Sequence, residues 1–133
     1  LKLNGNWPEL SLKPNDLRKL RNRDLARCWH CGTSDDTLTV QHRANRGMGG
    51  SGPKSMAHKP SNLILLCSAF NGAIESDSSA ADWARANGIK ISKFVDPAFE
   101  PIWDHIEQAW FYLDDDWNRV IQAPNIPNDQ TPY

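Results

Sequence analysis

Leu63 to Cys67 reads Leu-Ile-Leu-Leu-Cys without a polar break, and this run constrains the fold more than any other stretch. Its first four residues, Leu63 to Leu66, predict a short buried strand. Thr37 to His42 alternates and is rich in β-branched residues, which predicts a second strand. Between them the loop from Arg43 to Pro60 holds Gly47, Gly49, Gly50 and Gly52, residues that permit backbone angles others avoid. From about Ala69 a helix-compatible segment follows. The order strand, loop, strand, helix brings His42 close to Asn71 and Glu75, which stand an i,i+4 step apart on one helix face. Two side-chain oxygens can then meet one metal ion. A histidine beside such an ion is the minimum apparatus for activating water against a phosphodiester.

With 133 residues, 39% of them apolar, and six tryptophans, the chain can bury one modest core. One α+β domain is expected over residues 1–123, its centre at 28–76, with a loose tail at 124–133. Leu1 to Pro14 reads as an extended arm. Asn15 is placed to cap a helix that Asp16 favours at its positive end, with Leu17, Leu20 and Leu25 as an apolar stripe running to Arg27. Cys28 to Gly32 reads as a tight turn. Asp77 or Ser78 can restart a helix for Ala80 to Ala86, stopped by Gly88, and Ile89 to Ser92 reads as extended. Ile102 to Gln108 reads as helical. Trp110 to Leu113 and Asn118 to Ile121 predict a hairpin around the acidic turn Asp114 to Asp116. The tryptophans, Trp29, Trp110 and Trp117 among them, are read as core.

Net charge is −1, but it is unevenly spread. Residues 1–60 carry eleven Lys and Arg against five Asp and Glu, and residues 61–133 carry four against eleven. This excludes a uniformly basic nucleic-acid binder and leaves room for a basic face on the first half. Arg18, Lys19, Arg21, Arg23 and Arg27 lie on the first helix, and Arg43, Arg46, Lys54 and Lys59 cluster beside His42 as candidate contacts to a DNA backbone. No apolar run approaches the length of a membrane span, and the N-terminal stretch is polar, so an intracellular setting is expected. Three cysteines, an odd number, argue against a disulfide scaffold. Cys28 and Cys31 have the spacing of a zinc knuckle.

These residues carry a resemblance. The stretch from Cys28 to Glu75, with Val-Gln-His, Arg-Gly-Met-Gly-Gly and Asn-Gly-Ala-Ile-Glu-Ser in that order, resembles the HNH endonucleases, the ββα-metal or His-Me finger nucleases, and its phage and prophage members in particular. The resemblance implies a ββα-metal core and a metal-dependent DNA endonuclease of a bacterial cytoplasm. It places His42 as the general base and Asn62 as the brace of the loop presenting it. Gln41, Asn71 and Glu75 fall at the metal positions. Gln41 stands where the family has a histidine or aspartate, and it brings no charge. An oxygen-only set favours Mg2+ or Mn2+. Products would carry 5′ phosphate and 3′ hydroxyl ends.

The resemblance also places Cys67 where family members with a structural zinc begin a second Cys-x-x-Cys, but the fourth position is Phe70. Either three thiolates act with His30, His58 or water, or zinc is lost to apolar packing; phenylalanine there favours loss. Gln41 and Phe70 together support an alternative to the enzyme, a DNA- or protein-binding module that keeps the scaffold without the chemistry.

Overall fold

A computed structural model describes residues 12–45 and 58–124. At its centre β1 (Leu38–His42) and β2 (Leu63–Cys67) pair antiparallel, in a register that sets Leu38 opposite Cys67 and His42 opposite Leu63. Every residue of β2 is buried, which is why its sequence lacks polar alternation. Each of these apolar side chains contributes about 1.5–3 kcal/mol relative to an exposed one. The helix α1 (Pro14–Arg23) packs against β2 through the fully buried Leu20. The helix α2 (Ser68–Ser76) follows β2 directly, and the sulfur of Cys67 caps it by accepting from Phe70 N.

The boundaries of α1 differ from the expectation at both ends. Lys13, with extended backbone, is the N-cap, and Pro14 opens the helix, a position where its missing N–H has no consequence. Asn15 lies inside and accepts from Arg18. The helix stops at Arg23, and Leu25 and Ala26 take left-handed backbone angles, φ 58° and 53°. The cause is a buried anchor. Arg23 Nε lies 2.7 Å from Asp24 Oδ1 with both side chains fully buried. Arg23 also donates to the carbonyls of Pro60 and Leu63, and Leu65 N donates to Asp24 Oδ2 at 3.0 Å. Such added hydrogen bonds are what a buried ion pair requires to be tolerated.

Asp77 closes α2 and accepts from Ser79 N at 2.9 Å, opening α3 (Ser78–Ala86). Gly88, at φ 75°, ends that segment as expected. The chain then runs beside the end of β1, where Ile91 forms a parallel bridge with Ala44. Among the described residues, three antiparallel strands follow in the order β3 (Ile102–Asp104), β4 (Ala109–Leu113) and β5 (Arg119–Val120).

Ile102 to Gln108 is therefore not helical. Asp104 ends β3, and its Oδ1 accepts from Ile106 N and Glu107 N, both at 2.9 Å, so the side chain builds a turn where a helix would need the backbone. The hairpin of β4 and β5 matches the expectation. Asp114 Oδ1 accepts from Asp116 N and Asn118 N at 2.9 Å, closing the acidic turn. Trp29 is core, Trp117 is half-buried, and Trp110 is 45% exposed, packed on Trp103 at 5.3 Å.

Leu20, Val40, Leu65, Ile89, Phe111 and Leu113 belong to one core cluster, so the fold is a single α+β domain. None of the described helices is long and apolar enough to cross a membrane.

Candidate functional site

The end of β1 is held from two sides. Arg43 N donates to Asn62 O at 2.8 Å, and Ile91 N donates to Arg43 O at 3.1 Å. The fully buried Asn62 accepts from Ala44 N at 2.8 Å through Oδ1 and donates to Ala44 O at 3.3 Å through Nδ2. One amide side chain thus satisfies both backbone polar groups of the buried Ala44, two residues beyond His42, and only Asn or Gln carries donor and acceptor on one such fork. His42 itself is the last residue of β1. Its ring makes an edge contact with His58, centroids 5.6 Å apart, and its carbonyl accepts from Lys90 Nζ at 2.8 Å.

Asn71 and Glu75, one turn apart on α2, line the same cavity of about 660 Å3. Its other walls include Arg43 and Asn45 from the end of β1, and Lys90, Ser92 and Glu100 from the later chain. The two helix oxygens and the segment following His42 are therefore brought together. Neither His42 nor Gln41 is among the residues that line this cavity; the chain reaches it at Arg43 and Asn45. Gln41 Nε2 donates to Thr39 Oγ1 at 3.0 Å, and Thr39 Oγ1 donates to Leu66 O; successive strand residues point to opposite faces, so Gln41 and His42 diverge.

The basic cluster needs correction. Arg43 is 0% exposed. Its guanidinium donates to the carbonyls of Gly88 at 2.9 Å, Ser61 and Pro97 at 3.0 Å, Glu100 at 2.8 Å and Pro101 at 3.5 Å. Burial, and then repulsion from Arg23, push its ordinary pKa down to about 9. It holds segments together and has no surface with which to meet DNA. Lys59 is bound to Asp96 at 3.0 Å and Asp115 at 3.1 Å. Burial acts to lower its pKa, but those two carboxylates leave it raised. Arg46 and Lys54 lie outside the described residues. Arg27 likewise pairs with Glu107 at 3.0 Å and Asp104 at 3.4 Å. Arg27 and Lys59 of the first half are thus paired with carboxylates of the second.

The three cysteines form a second constellation. The sulfurs of Cys28, Cys31 and Cys67 all lie within 4.8 Å of one another, with Cys31 and Cys67 at 3.6 Å. Cys28 and Cys67 are buried, and Cys31 is exposed. His30 N and Phe70 N donate to the sulfurs of Cys28 and Cys67, each at 3.3 Å. Burial pushes the Cys28 thiol up to about 12 against the lowering effect of the nearby N–H groups.

Three thiolates have the donor chemistry of a soft-metal site, but a structural zinc takes four ligands. Among the described residues no fourth His, Cys, Asp or Glu joins the group. Phe70 stacks on His30 at 3.8 Å, with Trp83 edge-on to both, and His58 sits with His42.

Two residues of the site escaped the sequence reading. Lys90 lies outside the motif; its only signal was the extended reading of Ile89 to Ser92 after Gly88. His58 was considered only for zinc, and nothing in its spacing pairs it with His42. Compared with protein-family models, curated proteins and solved structures, the chain matches none.

Proposed function

We propose that this chain is a metal-dependent DNA endonuclease of the ββα-metal type. The observation that carries the proposal is the Asn62 fork on Ala44 beside His42, combined with a cavity that Asn71 and Glu75 line from a helix following the hairpin directly. His42 takes the proton from the attacking water, a task suited to a group that titrates near neutrality. Asn62 fixes the backbone on which that histidine is presented. Asn71 and Glu75 would hold the cation, and their hard oxygens fit Mg2+ or Mn2+. Bound there, the ion supplies positive charge to the scissile phosphate and the leaving oxygen. Gln41, engaged with Thr39, is left out of this set. The cysteine trio would hold a soft ion such as zinc with solvent reaching it at the exposed Cys31. A DNA substrate fits the bacterial cytoplasm and a phage or prophage origin.

One observation favours the rival, a binding module without chemistry. With Gln41 turned away the set keeps two ligands, Asn71 and Glu75, of which only Glu75 is anionic. Supercoiled plasmid incubated with Mg2+ or Mn2+ separates the two readings. Nicking by the wild type that His42→Ala abolishes, with the variant melting as the wild type does, is the expected result. An inert wild type overturns the enzyme.

A further inference from the structure

The cavity holds a cation that the hairpin and helix do not provide. Gly88 turns the chain back along the end of β1, and the Ala44–Ile91 bridge fixes it there. Lys90 is thereby placed in the wall shared with Asn71 and Glu75. Its ammonium donates to His42 O at 2.8 Å. An ammonium has three donors, and among the described residues Nζ makes no second hydrogen bond, so two remain to turn toward the cavity.

Charge argues in the same direction. Asn71 is neutral, so the oxygen pair on α2 offers a divalent ion one negative charge, that of Glu75. Hydrolysis of a phosphodiester adds negative charge at the phosphate, and a fixed cation in a walled site stabilises what develops there.

We propose that Lys90 is a catalytic residue of this site, its ammonium contacting a non-bridging oxygen of the phosphodiester while it also tethers the His42 carbonyl. This rests on the nuclease reading above. Lys90 and the metal ion both draw on Glu75, so Lys90 assists the chemistry and opposes ion binding. A tether alone has no such opposed effects.

The test compares the wild type with Lys90→Gln, which retains an amide N–H for the His42 carbonyl but no charge, and with Lys90→Arg, which retains the charge. Plasmid nicking at saturating Mn2+ is expected to fall roughly 100-fold or more in Lys90→Gln and to recover in part in Lys90→Arg. Mn2+ affinity, read without substrate from the EPR signal of the free ion, is expected to tighten several-fold in Lys90→Gln. Thermal melting checks that both variants fold; if Lys90→Gln does not, Lys90→Met decides in its place. Nicking at the wild-type rate by the neutral variant, or unchanged Mn2+ affinity, overturns the role of Lys90 and leaves the nuclease reading standing. A wild type as inert as His42→Ala overturns both.

Discussion

Arg43 shows how one residue can invert its apparent meaning. In the sequence it follows His42 at the head of a basic, glycine-rich loop and invites a phosphate-contact reading. In the fold it is sealed, and its acceptors are backbone carbonyls at Ser61, Gly88, Pro97 and Glu100. Carbonyls belong to every residue type, so nothing in their sequence marks them as a guanidinium cage. Arg43→Met should leave several buried carbonyls without donors, cost roughly 3 kcal/mol or more, and lower the melting temperature by about 10 °C. Arg43→Lys, with three donors, should fall between; equal melting of all three proteins would refute the account. His30 gives a pH prediction. Burial first, and then the charge of His105, lower its pKa below the ordinary 6.5. The folded state therefore resists protonation, so its contribution to stability is complete above pH 6.5 and is lost as the pH falls below it. Denaturant midpoints at pH 8, 6.5 and 5 should decline for the wild type and decline less for His30→Phe.

At the scale of elements, the hairpin and the helix after it were legible because burial and periodicity act within a few residues. β1, β2, α2, α3 and the acidic-turn hairpin lie close to where the pattern put them. The misses have local causes that outweigh propensity. Asp24 is drawn under β2 and cuts α1 short, and Asp104 folds its carboxylate onto Ile106 N and Glu107 N and turns an expected helix into strand and turn. Gly88 is the element boundary on which most depends. Its φ of 75° suits glycine, and a Cβ there would lie 1.9 Å from Pro101 O. Gly88→Ala should cost roughly 2–3 kcal/mol, because a backbone carbonyl cannot step aside as a flexible side chain can. Since Lys90 follows two residues later, the proposed nuclease reading expects plasmid nicking to fall even at temperatures where the variant remains folded. Wild-type melting by Gly88→Ala would contradict the contact.

At the scale of the whole molecule, the site belongs to more chain than its motif. The motif ends with α2, but Lys90, Ser92, Val95 and Glu100 complete the cavity. Pro97, Glu100 and Pro101 receive Arg43, and Ile102, Phe111 and Leu113 finish the core. This dependence was illegible in the sequence, because only the folded path places residues 88–101 beside the end of β1. A chain ending at residue 94 should lack cooperative melting and dispersed amide resonances, although the whole motif is present in it; a well-folded fragment would show that the motif stands alone. The guanidinium of Arg43 therefore sets an order of events during synthesis. A ribosome working from the N-terminus releases histidine, asparagine and glutamate well before the carbonyls of Gly88, Pro97 and Glu100 that lock the arginine, so a half-made chain has the letters of the motif and no chamber in which to use them.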